Sequence, residues 1–185
     1  MALMFATVMV ILLEREGERR ASGALDLGQA LPGAPAIALA APHETVDIPS
    51  LVDRPTVIDV WQSWCEPCKQ SLLPLERFAD SVGPDRLRVV YLTMNAVDDT
   101  ARITEFLAQS GVHHPPPVYS ILQSSAEVLY LMHGAPFTMI IDRNRRLRWR
   151  EHGPIFTTAG LVQSGSKTLD TLKAILAADR PGKAE

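Results

Sequence analysis

The sequence predicts an α/β domain built on a mixed sheet. Its segments run strand, helix, strand, helix, then a hairpin and a closing helix, an order that combines parallel with antiparallel strands. The composition agrees. The chain has 185 residues, 46% of them hydrophobic and 21% charged. That suits one globular domain with a tail and does not suit a disordered chain.

The elements follow from local pattern. Thr45 to Ile48 could form a short strand, and Arg54-Pro55 sets a turn before Thr56–Trp61, which is apolar and β-branched enough for a buried strand. Leu72, Leu75, Glu76, Phe78 and Ala79 have helical spacing and stop at Gly83-Pro84, with Pro74 expected to kink the helix. Leu87 to Met94 reads as the next buried strand. Asp98, Asp99 and Thr100 offer N-cap chemistry to a helix carrying Ile103, Phe106 and Leu107 and ending at Gly111. His113 to Pro117 is an extended loop, because three successive prolines exclude helix. Val118 to Leu122 is a weak strand, and Ser124 or Ser125 can cap a short helix through Met132. Phe137–Ile141 is a strand, Asp142 to Arg145 a tight turn, and Leu147–Arg150 an outer strand whose arginines 148 and 150 face solvent. Ser166 can cap a last helix with Leu169, Leu172, Ile175 and Leu176 on one face.

Domain boundaries follow from composition. Residues 1–20 are an apolar segment with a charged flank, 21–35 a linker, 36–181 the folded domain and 182–185 a tail. Met1 to Leu13 is apolar apart from Thr7, yet a spanning helix needs about 20 such residues. No basic side chain precedes the run, as one would in a secretory signal. Three readings stand: an anchor shortened by a late start codon, a short uncleaved signal-like segment, or an ordinary buried or partner-facing helix. The first is preferred, because Gly28 to Pro42 then reads as a tether. A net charge of −3 leaves no footprint for nucleic acid.

The two cysteines stand at Trp64-Cys65-Glu66-Pro67-Cys68-Lys69, between a buried strand and a helix. A helix start presents unpaired N–H groups and about half a positive charge, which favours a thiolate. Cys65, the more N-terminal and exposed sulfur, is therefore the expected nucleophile, and Cys68, one turn inside, can resolve the mixed disulfide. Pro67 suits the first turn, where its missing N–H costs nothing. Two inert thiols, or half of a zinc site, are the alternatives. Zinc would need two further ligands, and the histidines (43, 113, 114, 133 and 152) are all distant in sequence and read as surface or loop residues. Glu66, between the sulfurs, should oppose ionisation of Cys65 and lean the pair towards donating electrons, unless solvent screens it.

Val57 through Lys69 resembles the active-site segment of thioredoxins, and most closely that of the TlpA/ResA-like thiol-disulfide oxidoreductases. Gly134-Ala135-Pro136, leading into Phe137–Ile141 and an aspartate-led turn, resembles that family's second landmark, and Ala34-Pro35 its usual opening. The likeness covers roughly residues 33–180. It implies a thioredoxin-like three-layer sandwich with a mixed central sheet and a redox-active Cys65–Cys68 disulfide. It implies that Pro136 is cis and faces the cysteine pair, and that Ala135 offers its backbone to an extended partner chain. It places Asp59 under the site, where a buried carboxylate could take the proton of Cys68; the alternative is a carboxylate satisfied by backbone N–H groups. Trp61 and Trp64 would shield the sulfurs or pack in the core, and Lys69 closes the motif. The sequence departs from the family at Pro74, one position later than usual, at Ser71 in place of an acidic residue, and at Phe137, where cytochrome-maturation members often carry glutamate. Asn144 stands where the turn usually holds glycine.

The implied function is reduction of disulfides in partner proteins by a monomeric enzyme outside the bacterial cytoplasm. It would need no metal or cofactor and would draw electrons from a membrane or soluble donor, with a membrane tether through the N-terminus. A thiolate copper or apoprotein carrier is the alternative outside enzymology. A thiol peroxidase is the less favoured one, since Gln62 and Ile58 stand where it would need threonine and proline.

Overall fold

The computed structural model describes residues 25–113, 117–129, 134–157, 160, 161 and 163–179. In chain order the elements are β1 (Pro35–Ala38), β2 (Thr45–Asp47), β3 (Thr56–Trp61), α1 (Glu66–Val82), β4 (Arg88–Thr93), α2 (Thr100–Ser110), β5 (Val118–Ile121), α3 (Gln123–Val128), β6 (Phe137–Ile141), β7 (Leu147–His152), β8 (Phe156–Thr157), β9 (Gly160–Leu161) and α4 (Gln163–Ala178). The segments read as an N-terminal anchor and as a C-terminal tail lie outside the described residues, as do His114–Pro116 and the far end of the helix expected to reach Met132.

Seven strands form one sheet in the order β2-β1-β5-β4-β3-β6-β7. β3 is parallel to β4, and β4 to β5, while β6 runs antiparallel beside β3. All six residues of β3 are buried, as a strand covered on both faces requires. Alternation then sorts its side chains. Ile58 and Val60 join one core cluster with Val90, Leu92, Phe137 and Met139, under α3 and residues 25–34. Val57 and Trp61 join the other, with Leu72 and Leu75 of α1, Ile103 and Phe106 of α2, and Leu172 and Leu176 of α4. The result is a three-layer sandwich with a mixed central sheet.

Residues 25–35, the described part of the segment read as a linker, belong to this sandwich. Leu25, Leu31 and Ala34 are buried, Leu31 N–H donates to the Arg145 carbonyl at 2.8 Å, and β1 pairs with both β2 and β5. The four-residue strand Pro35-Ala36-Ile37-Ala38 has too little alternation to be read locally, and it depends on pairing with the distant β5. Ser125 illustrates this, because its hydroxyl donates to the Pro35 carbonyl at 2.7 Å instead of capping α3. Arg150 similarly leaves solvent to donate to the Leu25 carbonyl at 2.7 Å.

α1 holds Pro74 in its interior without being interrupted; the ring removes the bond to the Gln70 carbonyl, and the apolar face through Leu72 and Leu75 outweighs that loss. Two local expectations are corrected. Asp99 stands at the start of α2 without a side-chain cap bond, because its carboxylate accepts from Asn95 Nδ2 at 3.2 Å. In the β6–β7 turn Arg145, not Asn144, takes the left-handed conformation, at φ 61°. Asp142 Oδ1 accepts the N–H groups of Asn144 and Arg146, and these bonds hold the turn in that shape.

Candidate active site

The site lies where β3 leaves the sheet. A turn closes with Cys65 N–H donating to the Gln62 carbonyl at 2.9 Å. Cys65 is then the N-cap of α1, with extended backbone, and Glu66 and Pro67 form the helix's first turn. The cap itself is unusual in its chemistry: Cys65 Sγ accepts the Cys68 N–H at 3.2 Å. A sulfur in the N-cap position therefore uses one of the four N–H groups that a helix start leaves unpaired.

Cys65 and Cys68 are joined by a disulfide, with their Cα atoms 5.3 Å apart. The sequence suggested that Cys65 would be clearly the more exposed sulfur. In the oxidised structure the two are 2% and 0% exposed, so exposure barely separates them. Position does, because only Cys65 occupies the cap.

Asp59 is buried on the face of β3 that carries Val57 and Trp61, the layer that also holds both cysteines. Its register partner on β6 is Thr138, whose hydroxyl donates to Asp59 Oδ1 at 3.0 Å. Loss of solvent raises the Asp59 pKa to about 7, and the Thr138 bond opposes that rise only in part. Its partner on β4 is Tyr91, whose hydroxyl donates to the Leu72 carbonyl at 3.4 Å. Burial pushes the Tyr91 phenol up, and the charges of Asp59 and Glu76 push it further.

The tryptophans divide. Trp61 is fully buried, stacked on Phe106 with centroids 4.8 Å apart, and belongs to the cluster containing both sulfurs. Trp64, expected to shield the sulfurs or pack in the core, lies in the turn after β3 and is 71% exposed. Glu66 does not act as a lone charge. Lys69 Nζ lies 3.0 Å from its carboxylate and donates at 3.1 Å to Gln109 Oε1 on α2.

The Ala135–Pro136 bond is cis. Pro136 immediately precedes β6, where Phe137 lies opposite Val60, so it stands at the end of the sheet from which the cysteine turn departs. Ala135 packs against the cluster that contains Cys65 and Cys68. The Pro136 carbonyl is taken by Gly153 N–H at 2.9 Å.

Sequence reasoning passed over Thr138 and Asn95. Both act across strands, and neither carries a local motif. Among the described residues no group of three or more histidines, cysteines and carboxylates is gathered as a metal set.

Comparison with known proteins fits this geometry. The thiol:disulfide interchange protein DsbE of Allochromatium vinosum is 28% identical over 114 residues, which span 62% of this chain and 60% of that protein. The sporulation thiol-disulfide oxidoreductase A of Bacillus subtilis is 23% identical over 138 residues, covering 72% and 81% of the two chains. The solution structure of a thiol:disulfide interchange protein from a Bacteroides species superposes with a TM-score of 0.63 at 12% identity, over 86% of this chain and 96% of that one. That last likeness establishes a shared thioredoxin-like fold. The Redoxin family pattern matches residues 27–163, a span that contains Asp59, both cysteines and Pro136, and the chain belongs to the Redoxin family.

Proposed function

We propose that this protein is a thiol-disulfide oxidoreductase that reduces disulfides in partner proteins. The observation that carries the reading is the Cys65 sulfur at the α1 N-cap, accepting the Cys68 N–H at 3.2 Å. In the reduced state the same N–H and the helix start favour a Cys65 thiolate. That thiolate attacks one sulfur of a partner disulfide and expels the other as a thiolate, leaving a mixed disulfide. Cys68 then loses its proton to Asp59 and attacks Cys65 Sγ. The partner departs as a second thiolate, and the Cys65–Cys68 disulfide remains. Two electrons have passed from this protein to its partner, so an upstream dithiol, soluble or membrane-bound, must reduce the pair again. Asp59 suits the proton step because its pKa of about 7 lets it change charge near neutrality. Pro136 and Ala135 would hold the partner chain beside Cys65.

The reaction would run outside the cytoplasm, in keeping with the apolar run at residues 1–13 and with the thiol:disulfide interchange proteins it resembles. Among the described residues no helix is long and apolar enough to cross a membrane. The test is insulin reduction by the dithiol form, followed together with a reduction potential. Turnover with a potential near −270 mV supports a reductant; a potential near −120 mV would make the protein an oxidant and reverse the direction.

A further inference from the structure

Asn95 follows β4 and lies outside every motif of the family resemblance, yet its carboxamide is fully engaged. Oδ1 accepts the Ser63 N–H at 2.8 Å and the Thr93 hydroxyl at 3.0 Å. Nδ2 donates to Ser63 Oγ at 2.8 Å and to Asp99 Oδ2 at 3.2 Å. All four hydrogen-bonding positions of the group are used. Its orientation is not free to invert, because the Ser63 backbone N–H can only donate and must meet the oxygen.

The backbone of Asn95 is tied as well. Its N–H donates to Thr93 Oγ1 at 3.2 Å, and its carbonyl accepts the Ser120 hydroxyl at 2.7 Å from β5. Asn95 is therefore fixed to β4, β5 and the start of α2, and it grips one residue of another segment at two points. That residue, Ser63, is the second of the four-residue turn that closes from Gln62 to Cys65. Beside it the turn carries Trp64, which is exposed and contributes little restraint.

We propose that Asn95 is a positioning residue for Cys65: through its two bonds to Ser63 it holds the turn that seats the Cys65 sulfur at the start of α1. The proposal deepens the thiol-disulfide reading, since it concerns the sulfur that reading makes the nucleophile. It differs from a packing role because Asn95 is uncharged and acts on Cys65 only through Ser63. When the clamp is removed the turn can drift, the sulfur leaves its cap geometry, and the thiolate loses part of the stabilisation that a helix start supplies. A drift of even about 1 Å also costs attack rate, up to roughly 100-fold.

The test uses the reduced full chain and its Asn95→Ala, Ser63→Ala and double variants. The rate of Cys65 alkylation by iodoacetamide is measured against pH, beside reduction of insulin. Asn95→Ala is expected to move the Cys65 titration upward by about half a pH unit. Ser63→Ala, which keeps the backbone bond, should move it less. In the double variant the shift should equal that of Asn95→Ala alone, because the clamp has a single point of action. An unchanged alkylation profile in folded Asn95→Ala, or fully additive shifts in the double variant, would overturn the proposal. Alkylation needs no partner protein, so failure of the wild-type chain to reduce insulin would count against the proposed function and leave this result legible.

Discussion

Thr138 donates its hydroxyl to Asp59 Oδ1 at 3.0 Å, and the two residues are register partners across β6 and β3. A carboxylate in the buried layer is thereby held by a hydroxyl, and among the described residues no cation contributes to its pKa. Desolvation dominates, and the group titrates near neutrality instead of near pH 4.

That balance has a consequence for stability. The pKa of Asp59 is raised in the folded state, so between about pH 4 and about pH 7 the folded protein binds a proton that the unfolded chain has released. Stability should fall as pH rises through that window and then level off. Asp59→Asn removes the penalty, so the variant should gain on the order of 2–4 kcal/mol over the wild type at pH 8 and little at pH 4. Urea unfolding of the oxidised protein at both pH values checks this. An equal difference at the two would show that the carboxylate's charge is not what burial penalises.

Thr138→Val tests the opposing force. Loss of the hydroxyl should raise the Asp59 pKa further, because the bond to the ionised form is gone. The stability fall with pH should extend to a higher end point, and the pH dependence of mixed-disulfide release should move the same way. Coincident profiles for variant and wild type would mean that this bond does not tune Asp59.

Glu66→Gln should change the reduction potential little, by less than the ~30 mV that marks a tenfold change in equilibrium. Lys69 already partners the Glu66 carboxylate at 3.0 Å, and the carboxylate is 67% exposed, where charge effects are small. The measurement is equilibration with glutathione. A shift well beyond that limit would mean that Glu66 faces the sulfurs unscreened.

Leu72→Ala should cost about 2–5 kcal/mol, since it opens a cavity beneath α1 in the cluster that contains both cysteines. Thermal unfolding of the oxidised form reads the loss. A cost below 1 kcal/mol would place the support of α1 elsewhere.

Much of the fold can be read locally, and the exceptions have a common cause. Thr56–Trp61 and Phe137–Ile141 are recognisable because a buried strand needs an unbroken apolar or β-branched run. The cysteines are recognisable because a thiol pair across a helix's first turn has few other uses. β1 is not, because Pro35–Ala38 becomes a strand only through partners on β2 and β5. Thr138 and Asn95 are hidden for the same reason: each is ordinary in sequence and acquires its role from a residue 79 or 32 positions away. The tryptophans show a finer limit. The buried run of β3 places Trp61 in the core, but no local rule tells that the turn at Gln62–Cys65 leaves Trp64 in solvent.

The most direct test of the account is trapping by single-cysteine variants. Reduced Cys68→Ser and Cys65→Ser proteins are incubated with a disulfide-bearing partner protein, and the covalent adducts are counted by mass spectrometry. The account predicts stable adducts through Cys65 in Cys68→Ser and almost none through Cys68 in Cys65→Ser. Equal trapping by the two variants would contradict it.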